Sequence, residues 1–360
     1  MGSPRIEIDL EGIASNARVL VDRLGARGIG VTGVTKATLG SGEVGAAMLR
    51  GGVRGLADSR IANVRSLRDA GVGAPVTLIR SPMVSEVAQV VASSDTSFNT
   101  ESVVIELLSR AAVEQRRTHG IVLMVELGDL REGVMPADLV GLAGFVTSLP
   151  GLRLSGIGTN LACQCGVSPD VAKMAELSAL AGAVEVAVGG DLDVVSGGNS
   201  ANLQWAMSGE GRGRVNDLRL GEAILLGTDP LTRLPITGLE TGAFRLVAEV
   251  IESKVKPAQP WGVVLANAFG TPRPRWGVGS VRQSIVAVGR QDVDAAGLVA
   301  PRGVRVLGAS SDHVVVATSG RALEVGDEIA FGLDYSALLR VMTSPFVEQV
   351  VVSRPALVGS

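Results

Sequence analysis

Apolar and polar positions along this chain follow two rhythms, and the first gives way to the second near residue 235. Before that point, short runs rich in Val, Ile and Gly alternate with longer segments that mix Ala, Leu and Val with Glu and Arg. The short runs are almost continuously apolar, like strands buried on both faces of a parallel sheet, and the longer segments have the length of helices. The strand candidates are "IGVTGVTK" (29–36), "RGLADSR" (54–60), "APVTLIR" (74–80), "DTSFNT" (95–100), "GIVLMVELG" (120–128), "RLSGIGTNL" (153–161), "LDVVSGGNS" (192–200) and "DLRLGEAILLG" (217–227). Eight strand–helix units in about 200 residues predict a TIM (β/α)8 barrel. A doubly wound sheet is the competing architecture, but its G-x-G-x-x-G fingerprint is missing after the first strand.

Beyond residue 235, apolar and polar residues alternate in "FRLVAEVIESKVK", "SIVAVGRQDV", "GVRVLGASSDHVVVAT" and "VGDEIAFGL", with turn signals between them. That is the period of an antiparallel β domain. The opening "RIEIDL" (5–10) reads as a strand of the same domain. The expected organisation is a barrel over residues 11–234 and a C-terminal antiparallel β domain over 235–360, with residues 1–10 as an added strand.

The hydrophobic share of 46% supports a large core, yet no apolar run approaches the roughly 18–20 residues that span a bilayer. The start, "MGSPRIEIDL", alternates charged and aliphatic residues and does not read as a signal peptide, so a cytoplasmic enzyme is expected, with no membrane partner. A net charge of −3 and an aromatic share of 3% argue against a nucleic-acid partner. Cys163 and Cys165 form a C-x-C, and the two histidines, His119 and His313, lie far apart. A disulfide framework and a structural zinc site are not expected, and reduced thiols near a loop are.

Reacting groups of a TIM barrel stand at the C-terminal ends of its strands. Lys36 ends the first strand candidate, and it is one of four lysines among 33 Lys and Arg residues. A crowded amine there has a lowered pKa and forms a Schiff base with an aldehyde; a rim lysine in a salt bridge is the alternative. The seventh candidate ends in "SGGNSAN". Gly197 and Gly198 allow close backbone approach, Asn199 and Ser200 bring donors, and a following helix N-terminus favours a phosphate. Alone, that stretch also reads as a glycine turn with an N-cap. The eighth candidate brings Arg219, a permanent cation, and Gly221. A lysine at strand one with phosphate cradles after strands seven and eight suits pyridoxal 5′-phosphate, PLP.

The segments "PRIEIDLEGIASNA", "GVTKATLG", "GLADSRIANV", "ELGDLREGVMP", "GIGTNLAC", "SGGNSANL", "LRLGEAILLG", "VAVGRQDVD", "LGASSDH" and "LDYSALLRVMTSP" run in this order along nearly the whole chain. Together they resemble the alanine racemase-like, fold-type III PLP enzymes, and more closely their alanine/ornithine racemase branch. The resemblance implies a barrel plus a C-terminal β domain, and a head-to-tail homodimer with active sites at the subunit interface. It implies that Lys36 carries the internal aldimine and serves as one of two proton-transfer bases. Arg219 resembles the arginine facing the pyridine nitrogen. A guanidinium cannot give up its proton, so it disfavours a protonated ring and limits side reactions. Asn199, Ser200 and the backbone at Gly221 and Glu222 look like phosphate ligands, and Arg131 like the contact to the phenolic oxygen and the substrate carboxylate. Asn160 is similar in position to a histidine that packs on the cofactor.

The chain also departs from alanine racemase. The family's second base is a tyrosine in "GYADG", where this chain has "GRQDV" with Arg290. "KATLG" brings Leu39 where the family has a phosphate-binding tyrosine. His313 and Cys163 are the leading candidates for the second base, with Tyr335, the one tyrosine, behind them. Arg290, Ser311 and Asp312 fall where the resemblance implies substrate contacts. A distal ammonium wants a carboxylate, and Asp129, Asp292, Asp294, Asp312 and Asp334 are the candidates. The expected activity is interconversion of L and D ornithine, or a similar basic amino acid, by two-base proton transfer at Cα. A decarboxylase or D-amino-acid lyase of the same fold, and a non-catalytic PLP-binding protein, are the alternatives. Related decarboxylases place an acid where Arg219 stands, and the metal-assisted lyases need clustered ligands.

Overall fold

The computed structural model describes residues 4–266, 268–270 and 278–353. Contacts divide the chain into two compact units, Leu10–Thr241 and the pair of segments Met1–Asp9 with Gly242–Ser360. Strand β1 (Arg5–Ile8) belongs to the second unit.

The first unit is a closed parallel barrel of eight strands. They are β2 (Gly30–Val34), β3 (Gly55–Asp58), β4 (Val76–Leu78), β5 (Thr96–Asn99), β6 (His119–Met124), β7 (Leu152–Gly158), β8 (Val194–Ser196) and β9 (Asp217–Leu220). β9 closes on β2 with Gly30 opposite Asp217 and Thr32 opposite Arg219. All eight strands are the ones the apolar runs predict, and the TIM barrel is correct. The runs overshoot the strands at their C-terminal ends, so Lys36, Asn160 and Ser200 lie on the rim turns rather than in the sheet.

The surrounding helices are α1 (Leu10–Gly25), α2 (Gly42–Arg50), α3 (Ile61–Asp69), α4 (Val87–Ser93), α5 (Ser102–Glu114), α6 (Leu139–Ser148), α7 (Val171–Val188), α8 (Leu203–Met207) and α9 (Glu222–Leu226). Side-chain caps start two of them: Ser41 accepts from the Val44 amide, and Asp170 from the Lys173 amide. Buried Asn16 ties the ends of the ring together. Its Nδ2 donates to the carbonyls of Ile224 and Glu240, and its Oδ1 accepts from the Glu240 amide.

The second unit is a mostly antiparallel sheet. Its further strands are β10 (Phe244–Pro257), β11 (Ser280–Val286), β12 (Leu298–Val299), β13 (Val304–Ala309), β14 (Val314–Thr318), β15 (Glu328–Leu333) and β16 (Glu348–Val351), with one helix, α10 (Tyr335–Val341). The main order is β12-β15-β10-β11-β14-β13. β1 pairs antiparallel with β10 and parallel with β16, so the sheet is not purely antiparallel. Residues 1–3 of the expected N-terminal strand lie outside the described residues. An ion network fastens β1: Arg5 meets Glu7 and Glu328, and Arg245 meets Glu7. The hydrogen bonds that Arg5 donates to Glu328 and Glu7 raise its pKa against the cost of its burial.

Candidate active site

The rim turn after β2 carries Lys36. The backbone turns tightly there, through a 3-10 turn over Lys36–Thr38 that closes at Leu39 with φ 53°. Gly40 follows with φ +68°, and a Cβ at that position would meet the Asn63 carbonyl oxygen at 2.4 Å, so only glycine fits. Below the turn lies Asp58, fully buried at the end of β3. Its Oδ2 accepts from Thr35 Oγ1 at 2.8 Å, and its Oδ1 accepts from the Arg60 amide and from Asn63 Nδ2. Burial raises the Asp58 pKa despite these donors. Burial also lowers the pKa of Lys36; the charges of Cys163 and Asp58 pull it up, and those of Arg131 and Arg219 push it down.

Two rim loops bring Arg131 and Cys163 together. Glu126 holds the first loop by accepting from the amides of Gly128, Leu130 and Arg131. The Arg131 guanidinium pairs with Glu132 and donates to Cys163 Sγ at 2.9 Å. Asp129 holds the second loop. Its carboxylate accepts from four backbone amides, those of Cys163, Gln164, Cys165 and Val167. Burial alone would raise its pKa; the four donors outweigh this and leave it below the ordinary carboxylate value. Asp129 is therefore an anchor for the loop backbone rather than an open partner for a substrate ammonium. Both cysteines are free and exposed.

Arg219 points into the barrel beneath this rim. Nη1 donates to Ser196 Oγ at 2.6 Å, and Nη2 donates to the Thr159 carbonyl at 2.8 Å and more weakly to Asn160 Oδ1. The guanidinium stacks over Phe98, 4.9 Å from the ring centroid. Burial pushes its pKa down to about 10, partly offset by Asp217 and Glu132, so it stays a cation at neutral pH.

The turn after β8 is built from within. A Cβ on Gly197 would meet Val215 at 2.8 Å, and one on Gly198 (φ +143°) would meet Asn202 Oδ1 at 2.1 Å. The close approach that these glycines permit is to the protein itself. Asn199 ties two rim turns together: Oδ1 accepts from the Ala201 amide on its own turn, and Nδ2 donates to Asn160 Oδ1 and the Leu161 carbonyl on the turn after β7. Ser200 Oγ accepts from the Ala223 amide at 3.2 Å, joining this turn to α9, next to Gly221 and Glu222. Asn160 is left with a buried Nδ2 that has no protein acceptor.

Barrel residues Lys36, Arg131, Asn160, Cys163, Asn199, Ser200, Arg219, Gly221 and Glu222 thus lie in one unit at the C-terminal ends of its strands. His313, Arg290, Ser311, Asp312 and Tyr335 lie in the other unit. There, His313 Nδ1 pairs with Asp312 at 3.3 Å, Arg290 stacks on Phe269, and Tyr335 opens α10. Asp292 accepts from Ser344, Asp294 from Ser336, and Asp334 from the Ala337 amide as a helix cap. Asp58, Glu126, Ser196 and Asp217 were not singled out in the sequence. Among the described residues, no three His, Cys, Asp or Glu side chains gather as a metal site, and no helix is long and apolar enough to cross a membrane.

The family model for the alanine racemase N-terminal domain matches residues 8–229. The chain belongs to the alanine racemase family. Within this family it is 38% identical to a lysine racemase of Thermotoga maritima over 349 residues, 96% of this chain and 98% of that one. An ornithine racemase of Acetoanaerobium sticklandii is 33% identical over 350 residues, 96% and 99% of the two chains. The alanine racemase of a D-cycloserine-producing Streptomyces lavendulae shares the fold, with a TM-score of 0.76 over 99% of each chain at 18% identity. Alanine racemase family membership and two full-length racemase relatives make this chain an amino-acid racemase.

Proposed function

We propose that the chain interconverts the L and D forms of a basic amino acid, ornithine or lysine, with PLP at the barrel rim. The observation that carries this reading is the half-buried Lys36 amine, its pKa lowered by burial, set among Arg131, Arg219 and Cys163. A lysine of ordinary pKa is almost fully protonated at neutral pH; lowering it frees the lone pair for attack on an aldehyde and for proton transfer. The substrate class rests on the two full-length relatives, a lysine and an ornithine racemase.

The residues fit PLP. The buried, unpartnered Asn160 Nδ2 is a donor that suits an anionic oxygen. Ser200 keeps its hydroxyl hydrogen to donate, because the Ala223 amide uses only its oxygen. First-turn amides near Gly221 and Glu222 favour a phosphate. Arg219, a cation held by three acceptors, would face the ring nitrogen and keep it unprotonated. When bound, PLP supplies an aldehyde that captures the substrate amine and a ring that draws electrons from Cα.

Lys36 would hold the cofactor through its amine and would move the substrate Cα proton on one face. Arg131, braced by Glu132 and Glu126, would orient the substrate carboxylate. The second face needs a second base. Cys163 is favoured by its contact with Arg131 and its charge interaction with Lys36. His313 and Tyr335, in the C-terminal unit, are the other candidates. The same reading includes a head-to-tail homodimer in the cytoplasm; sedimentation of the cofactor-loaded protein at near twice 36.9 kDa checks the dimer.

The test is the absorption spectrum of purified protein and of Lys36→Ala, before and after borohydride, followed by polarimetry with L-ornithine, L-lysine and L-alanine. The expected result is a band near ~420 nm that borohydride removes and the variant lacks, with the fastest loss of rotation for ornithine or lysine. A colourless protein that takes up no PLP overturns the cofactor, and fastest turnover of alanine overturns the substrate class.

A further inference from the structure

Arg219 is linked to a carboxylate by a relay that the sequence reading did not use. Asp217 and Arg219 are two residues apart on β9, so both side chains point to the same face, the barrel interior, while Leu218 and Leu220 point the other way. Ser196, at the end of β8, stands between them. Its hydroxyl accepts from Arg219 Nη1 at 2.6 Å and donates to Asp217 Oδ2 at 2.5 Å. A single hydroxyl satisfies both ends because it has one hydrogen and spare lone pairs. Thr32 Oγ1, across the β2–β9 seam, donates to Asp217 Oδ1 at 2.7 Å and fixes the carboxylate in turn. All three members of the relay are buried.

On the floor side of this relay lies a cavity of about 120 Å³ lined by Asp217 and Arg219 together with Thr32, Thr96 and Ser155. The other acidic side chain on that wall, Asp193, is paired with Arg153. Asp217 is thus the carboxylate available to balance the buried guanidinium from below. A buried cation without an opposing charge is costly, and of the three acceptors that hold Arg219 only Ser196 passes the contact on to a carboxylate.

We propose that Asp217, acting through Ser196, is a positioning residue that fixes the direction of the Arg219 guanidinium and balances its charge, so that Arg219 meets the cofactor ring as an aimed, non-donating-away cation. This rests on the PLP reading of the rim. A ring nitrogen held unprotonated steers the proton back to the substrate Cα. A mis-aimed Arg219 would no longer keep the ring unprotonated, and water, substrate and cofactor would then give more keto acid and the amine form of the cofactor as side products.

The experiment compares PLP-loaded wild type with Ser196→Ala, which breaks the relay and keeps both charges, Asp217→Asn, which removes the charge, and Ser155→Ala, which deletes a hydroxyl from the same cavity wall outside the relay. PLP affinity, kcat, KM and the fraction of turnovers yielding pyridoxamine phosphate are measured for each. The relay variants should keep PLP affinity and KM within about threefold, lose about tenfold or more in kcat, and raise the pyridoxamine fraction about tenfold, with Ser155→Ala like wild type. A Ser196→Ala enzyme with wild-type kcat and wild-type pyridoxamine fraction, whatever its melting temperature, overturns the proposal, and it decides the matter even if Asp217→Asn does not fold. Wild type that takes up no PLP overturns this proposal together with the reading beneath it, which separates that failure from the first.

Discussion

The two ends of the barrel treat charge in opposite ways. At the floor, where strands begin, two arginines sit in ion pairs, Arg153 with Asp193 and Arg68 with an Asp95 that also accepts from the Val76 amide, and others lie against backbone carbonyls, Arg27 on Met207 and Arg117 on Ala92. His119 is buried there against Ser97 and stays neutral. At the rim, Lys36, Arg131 and Arg219 press on one another, each arginine lowering the lysine pKa, and a buried amide donor has no acceptor. The floor also leaves a buried atom without a partner, His119 Nδ1, but it belongs to a neutral ring. The rim is arranged for something that brings acceptors and negative charge, and crowding of this kind marks functional sites.

The contrast breaks most visibly at Lys36. Lys36→Ala should cost at least about 10³-fold in kcat and abolish borohydride-stable attachment of cofactor, with folding intact by circular dichroism. A smaller effect is expected at Cys163. If the thiol is the second base, Cys163→Ala should lower kcat about 10²- to 10⁴-fold while the visible band remains; deuterium uptake at Cα should then persist from one enantiomer and stop from the other. Unchanged turnover would move the role to His313 or Tyr335.

Asp129→Asn sharpens the comparison without touching a reacting group. Replacing a charged acceptor of four amides should cost about 1–3 kcal/mol, read by urea unfolding, and raise KM through a loosened loop. The Asp129 pKa lies below its ordinary value, so its contribution is full above the unfolded-state pKa and is lost as pH falls through the folded one. The smallest effect belongs to the floor. His119 has a pKa of about 4 instead of 6.5 because burial disfavours its charge. The unfolded chain takes up the proton first on acidification, so stability falls from pH 7 to pH 5, by about 2 kcal/mol for a shift of this size. His119→Asn should flatten that part of the pH dependence in urea titrations.

The barrel was legible because strands buried on both faces leave unbroken apolar runs, and because the rim residues fall where those runs end. Lys36 and Ser200 fall on the rim for that reason, whereas Arg219 lies inside β9. The relay was not legible. Asp217 looks ordinary in "NDLRL", although a charge at alternate positions between Leu218 and Leu220 was a signal that β9 turns two polar side chains inward. Asp58 and the loop-holding role of Asp129 were harder still: Asp58 gathers side chains from two turns, Thr35 and Asn63, and Asp129 holds backbone more than thirty residues away, and nothing in local pattern reports either. β16 escaped because its parallel partner lies at the opposite end of the chain.

The Asp129 clamp grips main-chain N–H groups and no side chain of residues 163–167. That stretch behaves like a cassette in a fixed socket. The side chains of Gln164, Cys165 and Val167 can therefore be exchanged by drift or by a library while the path of the loop is kept, with Cys163 and the positive-φ Gly166 held fixed.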